Sequence, residues 1–247
     1  INLSSAIGAQ INTLSDYELD LKDDRKKQLV QAMDSFGRDR LKIRLGVEFL
    51  LTLVLVFLFM LVQGKLVLLF MWIIGISLGC GYSAPPARLK SRSWLAPISL
   101  VLVLAVFPVL FAYYSFTSEM RPLFLLSLSG LVLTVYAVII PTETRDYFGD
   151  KAMGIETMTV HLGLVMASFL SMVLLIAGAI LIGTAFLFEF IYGQNALLSL
   201  FVLAIPVVVL IVLGNFKKLY SLSKEYANSN NQNPIDEKIV SLSAHNP

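Results

Sequence analysis

Long runs of apolar residues, separated by short polar segments, dominate this chain. The runs cover about 45–62, 66–84, 95–116, 123–141, 164–187 and 196–214. Each is close to the roughly 20 residues that an α-helix needs to cross a bilayer. The pattern therefore predicts an all-α membrane protein in which several helices span the bilayer.

The polar segments predict what lies between and beyond these spans. Residues 1–11 are too few to cross a bilayer, so they are expected to be the end of a helix that begins earlier. Residues 16–44 carry eight Lys or Arg and are predicted to form a solvated loop at the membrane surface. Residues 228–234 are predicted to be a polar turn or a short disordered segment, after which 235–247 resembles the approach to a further element. The chain is expected to be truncated at both ends.

Composition and charge support a membrane protein and orient it. Hydrophobic residues make up 57% of the 247 and charged residues 15%, against about 25% charged in soluble domains. The predicted topology puts 17 of the 19 Lys and Arg on one side, leaving Lys65 and Arg121 on the other, so the basic side is predicted to be cytoplasmic. Because the basic residues are divided among loops, the net charge of +2 does not indicate nucleic acid, and no such partner is predicted. The single Cys80 excludes an internal disulfide and a cysteine-built metal site.

Two acidic stretches at the ends of apolar segments carry the candidate chemistry. Asn12, Asp16 and Asp20 recur at intervals of four, so a helix would present all three on one face. Like charges at the rim of a membrane are costly unless a cation lies among them, and oxygen ligands of this kind suit Mg²⁺. The alternative is a solvated helix end, because further charged residues follow directly.

The second acidic stretch has similar spacing. Glu143, Asp146 and Asp150 lie three and four residues apart, and Asp146 and Asp150 are predicted to bind a second metal ion, with Glu143 as a ligand or a supporting group. The alternative is that these carboxylates form ordinary surface pairs with Arg145 or Lys151. Both stretches fall on the side predicted to be cytoplasmic, so they are expected to meet at one site.

A third stretch, Tyr82 to Lys90, is basic. Paired prolines there end a membrane helix, because proline cannot continue the hydrogen-bond ladder. Arg88 and Lys90 follow, and they are interpreted either as an anion clamp beside the metals or as a topological anchor at the headgroups. In an earlier apolar span, Glu48 lies one turn beyond Arg44 and is expected to pair with it.

Acidic and basic groups together at a membrane surface suit a ligand with a strongly anionic head and an apolar tail. A prenyl diphosphate has both properties. Ionisation of its allylic C–O bond would release diphosphate and leave a carbocation, which would alkylate a lipophilic acceptor while apolar walls exclude water. Two alternatives stay open: a terpene synthase or cyclase that needs no second substrate, and a non-catalytic transporter or lipid-binding protein. Transporters often carry ionisable groups near the bilayer midplane, whereas these spans are nearly free of charge.

Three motifs together resemble the UbiA-type intramembrane polyprenyltransferase superfamily. They are Asn12-x-x-x-Asp16-x-x-x-Asp20, Tyr82-Ser-x-Pro-Pro-x-Arg-x-Lys90, and Asp146-x-x-x-Asp150 followed by Gly154 and Thr-x-x-Val-His-Leu-Gly163. The resemblance covers nearly the whole chain. It implies one domain over 1–247, in a nine-helix all-α membrane fold with a central cavity, of which the first helix, part of the second and the last would be absent.

The resemblance also implies a function and a set of site residues. The implied activity is Mg²⁺-dependent prenyl transfer from a prenyl diphosphate to a lipophilic acceptor, in contact with membrane lipid. The implied ligands of Mg²⁺ and diphosphate are Asn12, Asp16, Asp20, Asp146 and Asp150, and the implied contacts to the leaving group or acceptor are Arg25, Lys26, Tyr82, Arg88, Lys90, Glu143 and Lys151. Thr13 and the run Lys26-Lys27-Gln28 depart from the family pattern, so the acceptor class stays open.

Overall fold

Helices form all the regular secondary structure in the part of the chain that the structure describes. This computed structural model describes residues 2–21, 26–152, 154–192, 196–229 and 233–244, and within them one isolated bridge joins Ser93 to Thr157. The α-helices in these ranges are α1 (Asn2–Asp20), α2 (Lys27–Phe36), α3 (Arg38–Gln63), α4 (Leu66–Ser83), α5 (Leu95–Val101), α6 (Phe107–Phe116), α7 (Pro122–Ala152), α8 (Met158–Leu162), α9 (Leu164–Tyr192), α10 (Ala196–Asn228) and α11 (Asn233–Ala244). A 3₁₀ turn at Leu89–Ser91 and a π turn at Leu102–Val106 complete the list. The predicted all-α fold class is confirmed.

Five helical segments are long and apolar enough to cross a membrane. They are Arg38–Gln63, Leu66–Ser83, Leu95–Phe116, Pro122–Ala152 and Leu164–Tyr192. Most of their side chains are not buried within the protein, as expected of helices whose apolar surface is solvated by lipid. The prediction of an integral membrane protein is confirmed. The sixth predicted span, 196–214, falls in α10, and the side chains at 196–207 lie outside the described part.

Two predicted boundaries are wrong. The segment 16–44, expected to be a loop, contains α2 and the start of α3. Its amphipathic helix α2 buries Val30 and Met33, so periodic apolar residues were present among the charges. The predicted span 123–141 also ends too early, because α7 continues to Ala152. The second acidic stretch is therefore helical, as its spacing requires for a shared face.

Helix α7 runs through Pro141 because a neighbouring helix replaces the missing hydrogen bond. Proline has no N–H, so the Ala137 carbonyl one turn earlier loses its helical donor. The Ser171 hydroxyl, from α9, donates to that carbonyl at 2.7 Å. All three residues are fully buried, where an unpaired carbonyl would be costly. This contact allows the long helix to carry the second acidic stretch beyond the proline.

The chain divides into two compact units, residues 1–90 with 107–118 and residues 91–106 with 119–247. In the first unit α1 packs against α3 and α4. In the second unit α9 packs against α7 and α10, and α11 packs against α7 and α10. Helices α7 and α9 approach closely at two glycines, because a Cβ on Gly178 would lie 2.7 Å from the Gly130 carbonyl oxygen. Small residues permit such close approach of membrane helices.

Candidate active site

The first acidic face lies along α1, in the first unit. Asp16 and Asp20 are buried, with 9% and 4% of their surfaces exposed, whereas Asn12 is exposed. Four-residue spacing brings the three side chains onto one face of the helix, as predicted. Buried carboxylates need partners, and each of these has at least one cation in contact.

The basic loop after α4 supplies most of these partners. The Lys90 ammonium donates to Asn12 Oδ1 at 3.3 Å and forms an ion pair with the Asp16 carboxylate. The Arg88 guanidinium nitrogen Nη2 lies 3.6 Å from the same Asp16 oxygen. At the end of α4, the Ser83 hydroxyl donates to Asn12 Oδ1 at 2.6 Å. The structure therefore brings the first and third motifs together within one unit.

The far end of the same face is closed by a second ion pair. Lys26 Nζ lies 2.5 Å from Asp20 Oδ1, so Lys26 contacts the same acidic face, and its predicted contact to the substrate stays a prediction. Arg25, another predicted contact, lies outside the described residues. Tyr82 is half-buried in α4, directly before Ser83. Two carboxylates thus contact three cations among the described residues, which leaves the cluster able to attract an anion.

Tyr17 connects this face to α2 and α3. Its hydroxyl donates to Asp34 Oδ1 at 2.8 Å, and the Arg38 guanidinium lies 4.6 Å above its ring. The hydrogen bond to Asp34 raises the pKa of Tyr17, because ionisation would remove the donated proton. A neutral Tyr17 therefore fixes the α1 turn that carries Asp16 against the helices that follow.

In the second unit, Glu143 holds the loop after α7 in place. Its Oε2 atom accepts hydrogen bonds from the Thr159 backbone N–H at 3.2 Å and from the Thr159 hydroxyl at 3.0 Å. Thr157 caps the short helix α8 by accepting a hydrogen bond from the Val160 N–H at 3.3 Å. Gly154, with φ of +70°, makes the turn between these elements. Glu143 is thus bound to its own loop through one carboxylate oxygen, which fits the supporting role among the two predicted for it.

The other members of the second acidic face are more exposed. The side chain of Asp146 is 45% exposed, and its Oδ2 lies 3.4 Å from Nη2 of the neighbouring Arg145, which is the surface pair considered as the alternative. Asp150 is half-buried, one turn further along α7. Lys151 lies against Tyr147, with its ammonium 3.5 Å from the phenol oxygen. The predicted roles of Asp146, Asp150 and Lys151 stay predictions.

The donor atoms on α1 fit a hard cation. Amide and carboxylate oxygens are the ligands that Mg²⁺ prefers, and Asn12, Asp16 and Asp20 supply such oxygens. Among the described residues no group of three or more His, Cys, Asp or Glu is close enough to form a complete metal cage. Such a cage is not required of Mg²⁺, which usually keeps waters and binds one or two carboxylates together with substrate phosphates.

Sequence reasoning missed several contacts of this site. Ser83 lies inside the third motif, but nothing in its spacing shows that it reaches Asn12 across 71 positions of sequence. The predicted pair of Glu48 with Arg44 is confirmed at 2.6 Å. Its second partner, the Gln10 amide of α1 at 2.5 Å, was not foreseen. These hydrogen bonds depend on helix packing, which a one-dimensional pattern does not report.

The helical fold and the charged cluster at the membrane surface define an integral membrane protein with a candidate site for an anionic ligand. The sequence model of the UbiA prenyltransferase family matches residues 1–230, so the chain belongs to that family. Solved structures with the same fold include a UbiA homologue from Archaeoglobus fulgidus bound to GPP and Mg²⁺, with a TM-score of 0.66 at 18% identity over 98% of this chain and 80% of that one. A UbiA homologue from the same organism bound to DMAPP and Mg²⁺ gives a TM-score of 0.64, again at 18% identity with 98% and 80% covered.

A curated relative is similar over a shorter stretch. The homogentisate phytyltransferase of Synechocystis sp. (strain ATCC 27184 / PCC 6803 / Kazusa) is 34% identical over 99 residues, covering 36% of this chain. The matched stretch spans 32% of that relative's length. The family assignment therefore depends on the match over 1–230, and the relative shows only that a stretch of this chain is similar to an enzyme with that name.

Proposed function

We propose that this protein transfers a prenyl group from a prenyl diphosphate to a lipophilic acceptor within the membrane. The observation that carries the proposal is the contact of Lys90 with both Asn12 and Asp16, which joins an oxygen-rich face to a basic loop. The family and the GPP and DMAPP in related structures support this choice of substrate. A cluster with both kinds of charge suits a diphosphate better than a neutral lipid.

The residues of the first unit would bind the diphosphate head. Arg88 and Lys90 are the cations for its oxygens, and Lys26 is a third at the Asp20 end. Asn12, Asp16 and Asp20 would hold Mg²⁺, which when bound supplies charge neutralisation for the leaving diphosphate. As the allylic C–O bond breaks, its electron pair stays with the diphosphate. A new bond then forms from the acceptor to the allylic carbon, and the acceptor loses a proton.

We propose that the second acidic face serves the same reaction. Asp146 and Asp150 repeat the spacing of Asp16 and Asp20, and the family match includes both pairs. Glu143 is the positioning residue of this part, since it fixes the loop through Thr159.

We also propose that these site loops face the cytoplasm. The support is the distribution of Lys and Arg, of which 17 of 19 fall on the side of the loops in the predicted topology. Lys65, on the opposite side, donates from Nζ to the Tyr114 carbonyl at the end of α6, at 2.8 Å. Lys65 is thereby used locally as a helix cap, which accounts for a basic residue at that position.

The test is prenyl transfer by the purified protein in detergent. Labelled geranyl diphosphate would be mixed with a panel of lipophilic acceptors, with and without Mg²⁺, and released diphosphate and labelled product would both be measured. Asp16→Asn and Asp146→Asn should each lower diphosphate release by about 100-fold or more, because each removes a ligand of the Mg²⁺ that would neutralise the leaving diphosphate. The acceptor that takes up label names the reaction.

A matched control comes from the same unit. Asp39→Asn removes a carboxylate whose side chain is 92% exposed and which pairs only on the surface with Lys42, so its activity should equal that of the wild type. Release that is independent of Mg²⁺, or equal in Asp16→Asn and Asp39→Asn, would contradict the proposal. Release that needs no acceptor would instead indicate a cyclase or synthase.

A further inference from the structure

An open groove lies in the second unit, lined by residues of α7, the start of α9 and the end of α10. Its volume is about 560 Å³, within the range of about 300–1,000 Å³ typical of pockets for small ligands. One wall is apolar and comes from the start of α9, where the membrane-crossing segment begins. The lining there includes Leu164, Val165, Met166 and Phe169, and the other side includes Tyr147, Tyr220 and Tyr226.

Two lysines lie on tyrosines that line this groove. The Lys151 ammonium is 5.6 Å from the centre of the Tyr147 ring. The Lys224 ammonium is 5.1 Å from the centre of the Tyr220 ring. Such cation–π contacts place each ammonium next to a tyrosine that lines the groove, although both lysines are exposed. The groove thus has an apolar wall and a cationic rim.

An acidic group within electrostatic reach of the groove is Asp236, on α11. Burial raises the pKa of Tyr226 most, the Asp236 charge raises it further, and Lys151 lowers it. Lys151 and Asp236 are therefore each within electrostatic reach of Tyr226. The two ammonium groups beside Tyr147 and Tyr220 supply positive charge next to the groove, which favours an anionic ligand.

We propose that this groove binds one anionic phospholipid, with its phosphate at Lys151 and Lys224 and an acyl chain along Val165 to Phe169. Leu164 is the first residue of α9, which is long and apolar enough to cross a membrane, so the groove lies at one end of that helix. Basic pockets between membrane helices bind anionic headgroups, and tyrosine is enriched at the membrane–water interface. The proposal concerns a ligand other than the substrates. Its test uses Lys224, because Lys151 is also a predicted contact to the leaving group or acceptor.

The test is lipid retention by the purified protein, measured by native mass spectrometry in a non-ionic detergent. Phosphatidylglycerol and phosphatidylcholine with the same acyl chains would be titrated separately. One phosphatidylglycerol should saturate the protein and be retained about tenfold better than phosphatidylcholine, consistent with two lysines near the headgroup. Lys224→Ala should weaken retention by about fivefold.

Two variants separate the groove from general surface charge. Lys218→Ala removes the same charge from α10, but residue 218 lies about 200° around the helix from Tyr220, so retention should not change. Met166→Trp should block retention with all charges intact, because Met166 is an exposed lining residue of the groove.

Several outcomes would overturn the proposal. Equal retention of the two lipids, binding without saturation, or equal losses in Lys224→Ala and Lys218→Ala would each reduce the groove to ordinary lipid-facing surface. Displacement of phosphatidylglycerol by geranyl diphosphate would make it a substrate site. Formation of a dimer that excludes lipid would assign the groove to a second copy of the chain. The readout is binding, so these results are distinct from any failure of the activity assay.

Discussion

Replacing Ser171 by alanine should destabilise the second unit by about 1–2 kcal/mol. The Ser171 hydroxyl is the donor to the Ala137 carbonyl, which Pro141 deprives of its helical N–H. Leaving a buried carbonyl unpaired costs about 1–3 kcal/mol. Hydrogen bonds between membrane helices average about 0.6 kcal/mol and reach about 1.7 kcal/mol, so the lower part of that range applies.

A double-mutant cycle isolates this effect from the loss of a hydroxyl in general. In a Pro141→Ala background, the new N–H at position 141 can bond to the Ala137 carbonyl, so Ser171→Ala should then cost less than about 0.5 kcal/mol. Ser127→Ala is the matched control on α7. Its hydroxyl donates within the helix to the Leu123 carbonyl at 3.0 Å, and the backbone N–H of the same residue can still bond to that carbonyl.

The measurement is reversible unfolding in mixed micelles, followed by circular dichroism as the denaturing detergent is increased. Thermal midpoints give a second readout, with an expected loss of about 2–8 °C for Ser171→Ala. The compensation argument would be refuted if Ser171→Ala cost the same in the wild type and in the Pro141→Ala background. It would also be refuted if the cost in the wild type were no larger than that of Ser127→Ala.

Two further predictions concern packing and pH. Gly178→Ala should destabilise the protein by about 1–3 kcal/mol, because its Cβ would meet backbone atoms that cannot move aside. Gly183→Ala is the control on the same helix. Its Cβ would enter open space, so the variant should be neutral or slightly stabilising in the same unfolding assay. Asp236→Asn should raise the thermal midpoint at neutral pH, since burial raises the pKa of Asp236 and the folded state therefore favours the protonated form. The stability of the wild type should fall as the pH rises above about 4 and through the raised pKa of Asp236, and the variant should lose this dependence. Parallel pH–stability profiles of the wild type and the variant would contradict the raised pKa of Asp236.

The first motif shows how far a short pattern can determine a site. A spacing of four places Asn12, Asp16 and Asp20 on one face of any helix, so their shared face could be predicted without a fold. That Lys90 contacts two of them could be predicted only as a tendency, from its position in a basic loop on the same membrane side. The contact itself requires α1 and α4 to pack together, as the Ser83 hydrogen bond shows.

The predicted element boundaries were wrong at two segments whose polar residues suggested a loop but which form helices. Residues 16–44 were interpreted as a loop because of their charge, but Val30 and Met33 give α2 a buried face. The predicted span ended at 141, yet α7 continues through Pro141 because Ser171 lies within reach of the freed carbonyl. Both outcomes depend on partners distant in sequence, which local propensities do not include.

The class of this protein can be recognised in the sequence, because a bilayer requires long apolar helices, and the helical spacing of the acidic residues is visible there too. Which polar groups meet depends on how the helices pack. In this fold Asp16 contacts Lys90, Glu143 contacts Thr159, and the Ala137 carbonyl accepts from Ser171. The reason is that each buried polar group must find a partner, and the identity of that partner follows from helix packing.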